Sequence, residues 1–255
     1  MMRDERRAAI LSELDRTGSV KVSDLAGLLG ISTVTVRSDL EALEHDGKLR
    51  RTHGGAVSLS RTLTVSVQDR RVNVNVGAKA AVGRAAAELV ANGESLLVDS
   101  GTTALEFVRN LAGKKGVTVV TADLTIADYI DRSLPDVDVV LLGGSLRKGH
   151  RYLYGPLVIS ALEALHPDKA IVCPTSFVPG RGFMTNFEQM AEVKRAFLRC
   201  AEKIYVLMDA TKVGASGLMW FGAPSSVDAI VMDSDPNGVV AAEVEELPCK
   251  LVLAS

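Results

Sequence analysis

Residues 32–55 read STVTVRSDLEALEHDGKLRRTHGG. Ser32 is a good helix N-cap, and Gly47 follows the last apolar-periodic position, where a helix would end. Between them Val36, Leu40 and Leu43 recur at i, i+4 and i+7, one buried stripe. The opposite face carries Val34, Ser38 and Glu41, with Thr35 and Arg37 on its flanks. Its side chains are short near the N-terminus, where a helix entering a major groove must let its first residues approach base edges. Lys48, Arg50, Arg51 and His53 follow with no acid among them. Such a basic strip suits a wing gripping backbone phosphates.

Working upstream, Ile10, Leu11 and Leu14 give Asp4 to Arg16 a helical apolar face. Ser23 is expected to cap a second helix carrying Leu25, Leu28 and Leu29. The step Gly30-Ile31-Ser32 has the length of a helix-turn-helix turn. The expected DNA contacts are Ser32, Thr33, Val34, Thr35, Arg37 and Ser38 on the recognition helix, and Lys48, Arg50, Arg51 and His53 on the wing. A small helical domain that binds protein is the alternative the pattern leaves open.

The pattern Thr35-Val36-Arg37-Ser38-Asp39-Leu40, Leu43-Glu44, Gly47 and Arg50-Arg51-Thr52-His53-Gly54-Gly55-Ala56 resembles the DeoR family of bacterial transcription regulators. The family usually has a second basic or amide residue before the aspartate, where this chain has Ser38.

Net charge is −2 over 255 residues, and residues 1–57 hold nine Lys/Arg against nine Asp/Glu. DNA binding must therefore come from local placement of charge, not from a global field. Apolar residues make up 47% of the chain, enough for a substantial core. Cys173, Cys200 and Cys249 are widely spaced and read as buried thiols of a reducing, cytoplasmic compartment. The four histidines show no ligand spacing, so neither metal nor cofactor is expected. No apolar stretch reaches the ~18 residues of a membrane helix. The start, MMRDERR, is too charged for a signal peptide.

Residues 58–75 lack a sustained helical period and read as a linker between a domain at 1–57 and another at 76–255. From Val76, β-branched runs alternate with helical segments. The runs are Leu96–Val98, Val117–Val120, Val137–Leu142, Ala170–Val172, Ile204–Met208, Ala229–Met232 and Leu251–Leu253. The helical segments are Ala78–Val90, Ala104–Leu111, Leu124–Asp131, Leu157–Leu165 and Met190–Cys200. Such alternation predicts an α/β domain with a doubly wound, mostly parallel sheet.

Ligands of such sheets bind at the carboxyl ends of the strands. There the sequence places Asp99-Ser100-Gly101-Thr102-Thr103 before a helix, a candidate anion cradle. It also places Thr121-Ala122-Asp123, Gly143-Gly144-Ser145 followed by Arg147, Lys148, His150 and Arg151, and Asp209 with Lys212. Asp99, Ser100, Gly101, Thr102, Thr103, Thr121, Asp123, Gly143, Gly144 and Lys212 are the expected effector contacts, with Asp123 reading hydroxyls. Taken singly, each piece also reads as a helix cap, a tight turn, a solvated lysine or a charged loop.

This half is similar to the DeoR sensor domain, through Lys79 with Gly83 and Ala86, Asp99 to Thr103, Val119-Val120-Thr121, Leu142-Gly143-Gly144, Gly182 with Thr185, Glu192 to Ala196, and Asp209 with Lys212 and Gly214. The resemblance implies a sugar-phosphate isomerase-like fold that binds phosphorylated sugars or related metabolites. Departures at Ala122-Asp123, His150 to Tyr154, Pro174-Thr175-Ser176 and Met190 leave open whether the ligand is a simple sugar phosphate.

The resulting expectation is a sequence-specific regulator, a repressor by preference, that binds a double-stranded operator and answers to a small metabolite. Paired half-sites call for a homodimer or homotetramer. The alternatives are a sugar-phosphate isomerase-like enzyme using Asp99, Asp123 or Asp209 as base, and a protein-binding adaptor.

Overall fold

The computed structural model describes residues 3–17, 19–52, 54–58 and 74–254. The chain divides into two compact units, Met1–Val65 and Ser66–Ser255. Only residues 58, 74 and 75 of the expected linker lie among the described residues, as does only the backbone of Arg50; His53 lies outside them.

The first unit runs α1 (Arg3–Thr17), β1 (Ser19–Lys21), α2 (Val22–Leu29), α3 (Thr33–His45), β2 (Leu49–Thr52) and β3 (Gly55–Ser58). Ile10 and Leu14 of α1, Leu25 of α2, Val36, Leu40 and Leu43 of α3 and Leu49 of β2 form one buried cluster. The stripe at i, i+4 and i+7 therefore faces inward. Strands β2 and β3 pair antiparallel as the wing, and β1 adds to the free side of β3. One capping expectation is corrected. Helix α2 begins at Val22, its N-cap is Lys21, and no side chain caps it. Ser23 lies inside the first turn, where its hydroxyl donates to Asp24 Oδ1 at 2.9 Å.

The second unit contains α4 (Val76–Glu88), β4 (Ser95–Val98), α5 (Thr102–Arg109), β5 (Val117–Thr121), α6 (Leu124–Ser133), β6 (Val137–Leu141), α7 (Pro156–Glu163), β9 (Lys169–Val172), α8 (Glu188–Cys200), β12 (Lys203–Leu207), β14 (Ala229–Met232), α9 (Val239–Val244) and β15 (Lys250–Leu253). Seven strands form one wholly parallel sheet in the order β15-β14-β12-β9-β4-β5-β6. Each expected β-branched run falls on one of these seven strands. Alternate residues serve opposite faces. Leu96 and Val98 join the cluster under α4, α5 and α6, whereas Leu97 joins the one under α7, α8 and α9. Strand order reverses between β4 and β9, which opens a crevice at their carboxyl ends.

Six of the described strands and α-helices of this unit have no counterpart in the expected series. A hairpin, β7 (Ser145–Arg147) with β8 (Tyr152–Tyr154), follows β6. A small antiparallel sheet joins β10 (Ser176–Val178), β11 (Gly182–Thr185) and β13 (Met219–Gly222). It carries Phe177, Phe183 and Phe221: the Phe177 and Phe183 rings meet at a tilt, 5.4 Å between centres, and the Phe183 and Phe221 rings stack at 6.0 Å. Strands this short show no period long enough to read. Helix α9 is likewise only six residues. Of the three thiols only Cys249 is buried; Cys173 and Cys200 are half-buried, and all three are free.

Helices α4 and α5 cross closely at Gly83. A Cβ there would lie 2.6 Å from the carbonyl carbon of Glu106 and 2.7 Å from Phe107 N, both backbone atoms. Gly83→Ala should therefore destabilise the second unit by about 1–3 kcal/mol. A urea unfolding midpoint equal to that of the parent would contradict this crossing.

Candidate DNA interface and effector cavity

Ser32 caps α3 as expected: its Oγ accepts from Thr35 N at 3.1 Å and lies 2.8 Å from Thr35 Oγ1. Thr33, Val34, Arg37 and Ser38 are exposed, and Thr35 is half-buried. Val34 is 72% exposed, an apolar side chain on an otherwise polar face and so available to a thymine methyl. Lys48 and Arg51 are exposed on the same unit. Arg51 N donates to Glu44 Oε1 at 2.7 Å, and its guanidinium lies 3.5 Å from Glu41 Oε1.

Behind this face, buried Asp39 ties α3 to α1. Its Oδ1 accepts from Arg6 Nη2 at 3.0 Å, Arg6 Nε bonds Oδ2, and Arg7 Nε lies 3.6 Å away. Burial pushes the Asp39 carboxyl up, but the Arg6 hydrogen bond and the charges of both arginines outweigh it and hold the pKa below the ordinary value. A depressed carboxylate stabilises the fold above its unfolded pKa and loses that contribution as pH falls through its folded pKa. The helix-turn-helix unit should thus lose stability below about pH 4, and Asp39→Asn should flatten that acid limb. Circular dichroism during acid titration measures it; an unchanged limb in the variant would remove Asp39 as its cause.

In the second unit, a cavity of about 340 Å³ opens at the crevice between β4 and β9. Ser100, Gly101, Thr102 and Thr103 line one wall. Gly101 precedes α5 with φ +127°, a conformation glycine accepts readily. No side-chain cap is seen on α5 among the described residues, and its first residues Thr102 and Thr103 line the cavity, the position at which a helix start can receive an anion. Four cations line the remainder: Lys79, Arg147, Lys194 and Lys212.

Each cation is positioned by a different element. Lys79 on α4 is buried and donates to Val74 O at 2.5 Å. Lys194 on α8 is buried, forms an ion pair with Asp99 and donates to Cys173 O at 2.8 Å. Arg147 on β7 lies 3.8 Å from the centre of the Phe187 ring and bonds the Tyr152 hydroxyl. Lys212 follows β12 in a short 3₁₀ turn and lies 3.9 Å from Asp209 Oδ2. Among the described residues that buried oxygen takes no hydrogen bond, while Oδ1 accepts from Asn75 Nδ2 and Thr211 N, each at 3.1 Å. Cys173 also lines the cavity; burial and the Asp99 charge push its thiol up to about 12, so it stays protonated at neutral pH.

Five expected contacts do not reach this cavity. Asp99 is buried behind it, accepting from Ser100 N at 2.8 Å and Cys173 N at 2.9 Å besides pairing with Lys194. Thr121 donates to Val98 O at 2.8 Å and receives Asp123 N at 3.1 Å. Asp123, expected to read ligand hydroxyls, is fully buried and does not line the cavity. Its Oδ1 caps α6 by accepting from Thr125 N at 2.7 Å and Ile126 N at 3.1 Å, and its Oδ2 holds Gly101 N at 3.2 Å. A carboxylate at a strand end gains more from a helix start than from solvent. Gly143 and Gly144 also miss the cavity. Gly144 packs against the hairpin, where a Cβ would lie 2.7 Å from Tyr154 O.

Lys79 and Lys194 were not among the expected contacts. Both stand within the apolar stripe of an amphipathic helix, and a lysine there is itself a signal, since lysine is rarely buried without a partner.

A DeoR-like helix-turn-helix domain model matches residues 6–62, and a model of the DeoR C-terminal sensor domain matches residues 74–234. The putative aga operon transcriptional repressor of Escherichia coli O157:H7 is 32% identical over 95% of this chain and 90% of its own length. The HTH-type transcriptional repressor GlcR of Bacillus subtilis is 30% identical over 93% of this chain and 91% of its own. Among solved structures, ribose 5-phosphate isomerase A of Methanocaldococcus jannaschii superposes on 55% of each chain with a TM-score of 0.41 and 16% identity. The chain belongs to the DeoR family: it is a transcriptional regulator whose helix-turn-helix domain binds DNA and whose C-terminal sensor domain binds an effector.

Proposed function

We propose that this regulator is a repressor that holds a double-stranded operator as a homodimer or homotetramer and responds to a phosphorylated sugar-like metabolite. The cavity at the α5 N-terminus, ringed by Lys79, Arg147, Lys194 and Lys212, carries this reading. Helix N–H groups and lysines suit a phosphate dianion, while Asp209 Oδ2 offers an acceptor for a sugar hydroxyl. The repressor names of two full-length relatives support the direction of control. The effector acts by binding two conformations of the regulator with different affinity.

Thermal-shift measurement against phosphorylated sugars, phosphorylated sugar acids and their unphosphorylated forms tests the ligand class. A phosphorylated ligand at ~100 times its Kd should stabilise the protein by about 2.7 kcal/mol. Stabilisation by the unphosphorylated forms alone would sink the phosphate reading.

On the DNA side, Ser32, Thr33, Val34, Thr35, Arg37 and Ser38 are the proposed groove contacts, and Lys48 and Arg51 the phosphate contacts. Arg37→Ala should weaken specific binding by roughly 1–3 kcal/mol. Arg51→Ala should weaken all sequences alike and lower the salt slope by about one. Fluorescence anisotropy across a salt series separates the two behaviours; unaltered operator affinity in Arg37→Ala would remove the groove assignment.

A further inference from the structure

The reading as a dimer leaves open which surface joins the copies. On α7, Pro156, Ile159, Ser160 and Glu163 stand at i, i+3, i+4 and i+7, one stripe of the helix. On α8, Glu192, Arg195 and Arg199 stand at i, i+3 and i+7. The two stripes together line a shallow depression of about 500 Å³. A second depression, about 420 Å³, shares Glu163 and Arg199 with the first and continues to His166. Both lie on the outside of the helices, away from the effector cavity, with which they share no lining residue.

The charges on this face are balanced and unspent. Among the described residues, none of Glu163, Glu192, Arg195 and Arg199 has an ion-pair partner. Arg195 is instead fixed by donating from Nη2 to Trp220 O at 3.0 Å. Trp220 itself is 48% exposed, and close to it in sequence Leu218 is 73% exposed; Leu157, beside Pro156, is 70% exposed. Tryptophan and arginine are the side chains that most often carry binding energy at protein interfaces.

We propose that the outer face of α7 and α8, flanked by Trp220, is the isologous surface through which two copies of this chain associate. A surface for an acidic or basic partner would carry one sign. Two acids and two arginines on one face fit a second copy of the same face, because any acid–arginine contact across a two-fold axis is made twice. The apolar side chains at the flanks supply the desolvated area that the charges cannot. The proposal rests on the dimeric reading above.

Reversing charge tests it in the full-length chain. Arg195→Glu with Arg199→Glu makes the face all acidic; Glu163→Arg with Glu192→Arg makes it all basic. Sedimentation velocity over a concentration series should show the dimer dissociation constant raised at least about tenfold in each variant. An equimolar mixture of the two should associate again as a heterodimer. Circular dichroism establishes that both remain folded. Trp220 is the single tryptophan. Its emission should therefore shift to the blue as the unaltered protein associates. Two reversed variants that each dimerise like the parent would overturn this surface and leave the dimer intact. Variants that fail alone and also fail together would overturn the isologous pairing. A parent protein that stays monomeric would overturn the dimeric reading itself.

Discussion

Lys194→Met should destabilise the sensor domain by about 3–5 kcal/mol, the cost of stripping one partner from a buried ion pair. Lys194 and Asp99 are both buried, at 3% and 1% exposure. The ammonium pairs with Asp99, donates to Cys173 O, and lies 5.5 Å from the centre of the Phe221 ring. The carboxylate also accepts the N–H groups of Ser100 and Cys173, which follow β4 and β9 directly. The pair thus clamps the ends of the two strands beside which the proposed effector cavity opens. Methionine keeps most of the lysine's length but leaves a carboxylate charge in the interior with two neutral donors. Removing the charge from the other side should repair much of the loss, so Lys194→Met with Asp99→Asn should be more stable than Lys194→Met alone. Urea unfolding of the three proteins gives the comparison. A single variant within about 1 kcal/mol of the parent would mean that the carboxylate does not depend on its lysine.

The sequence carried the scaffold further than it carried the site. Val36, Leu40 and Leu43 mark one face of one helix, and a buried stripe of that length has few other readings. The inner strands of the parallel sheet are likewise near-continuous apolar runs, because both their faces are covered, whereas the edge strands β6 and β15 stay partly exposed. The aromatic sheet of β10, β11 and β13 escaped because three- and four-residue strands present no period, and β13 pairs with β11 from far along the chain. In the cavity, Ser100 to Thr103 and Lys212 were legible because each sits directly after a strand. Arg147 was placed at this sheet end by the sequence but not among the expected contacts, and Lys79 and Lys194 converge only through packing of α4 and α8. Asp123 shows the limit of local pattern. A carboxylate after a strand and before a helix can face a ligand or cap the helix, and only the fold shows that it caps α6 and props Gly101.

Thr102→Glu should abolish the effector response while leaving operator binding intact. Thr102 is the first residue of α5, buried at 8% exposure in the cavity wall. Glutamate there places a carboxylate where the proposed phosphate sits and fills part of a cavity of only about 340 Å³. At ~4 Å, two unit charges of like sign cost about 4 kcal/mol at an effective dielectric near 20. That corresponds to a loss of effector affinity of roughly a thousandfold, since ~1.4 kcal/mol is a factor of ten. The fold should tolerate the change, because an acid in the first turn favours the helix dipole. Thr102→Gln separates the causes: bulk without charge should weaken the effector far less. Lys212→Ala should cost a phosphorylated ligand more than its unphosphorylated analogue, because only the former presents a charge to the ammonium. The measurement is operator release, followed by fluorescence anisotropy, over an effector titration in the three variants. Unimpaired release from Thr102→Glu would move the effector to another site and return the Ser100 to Thr103 segment to the role of a plain helix start.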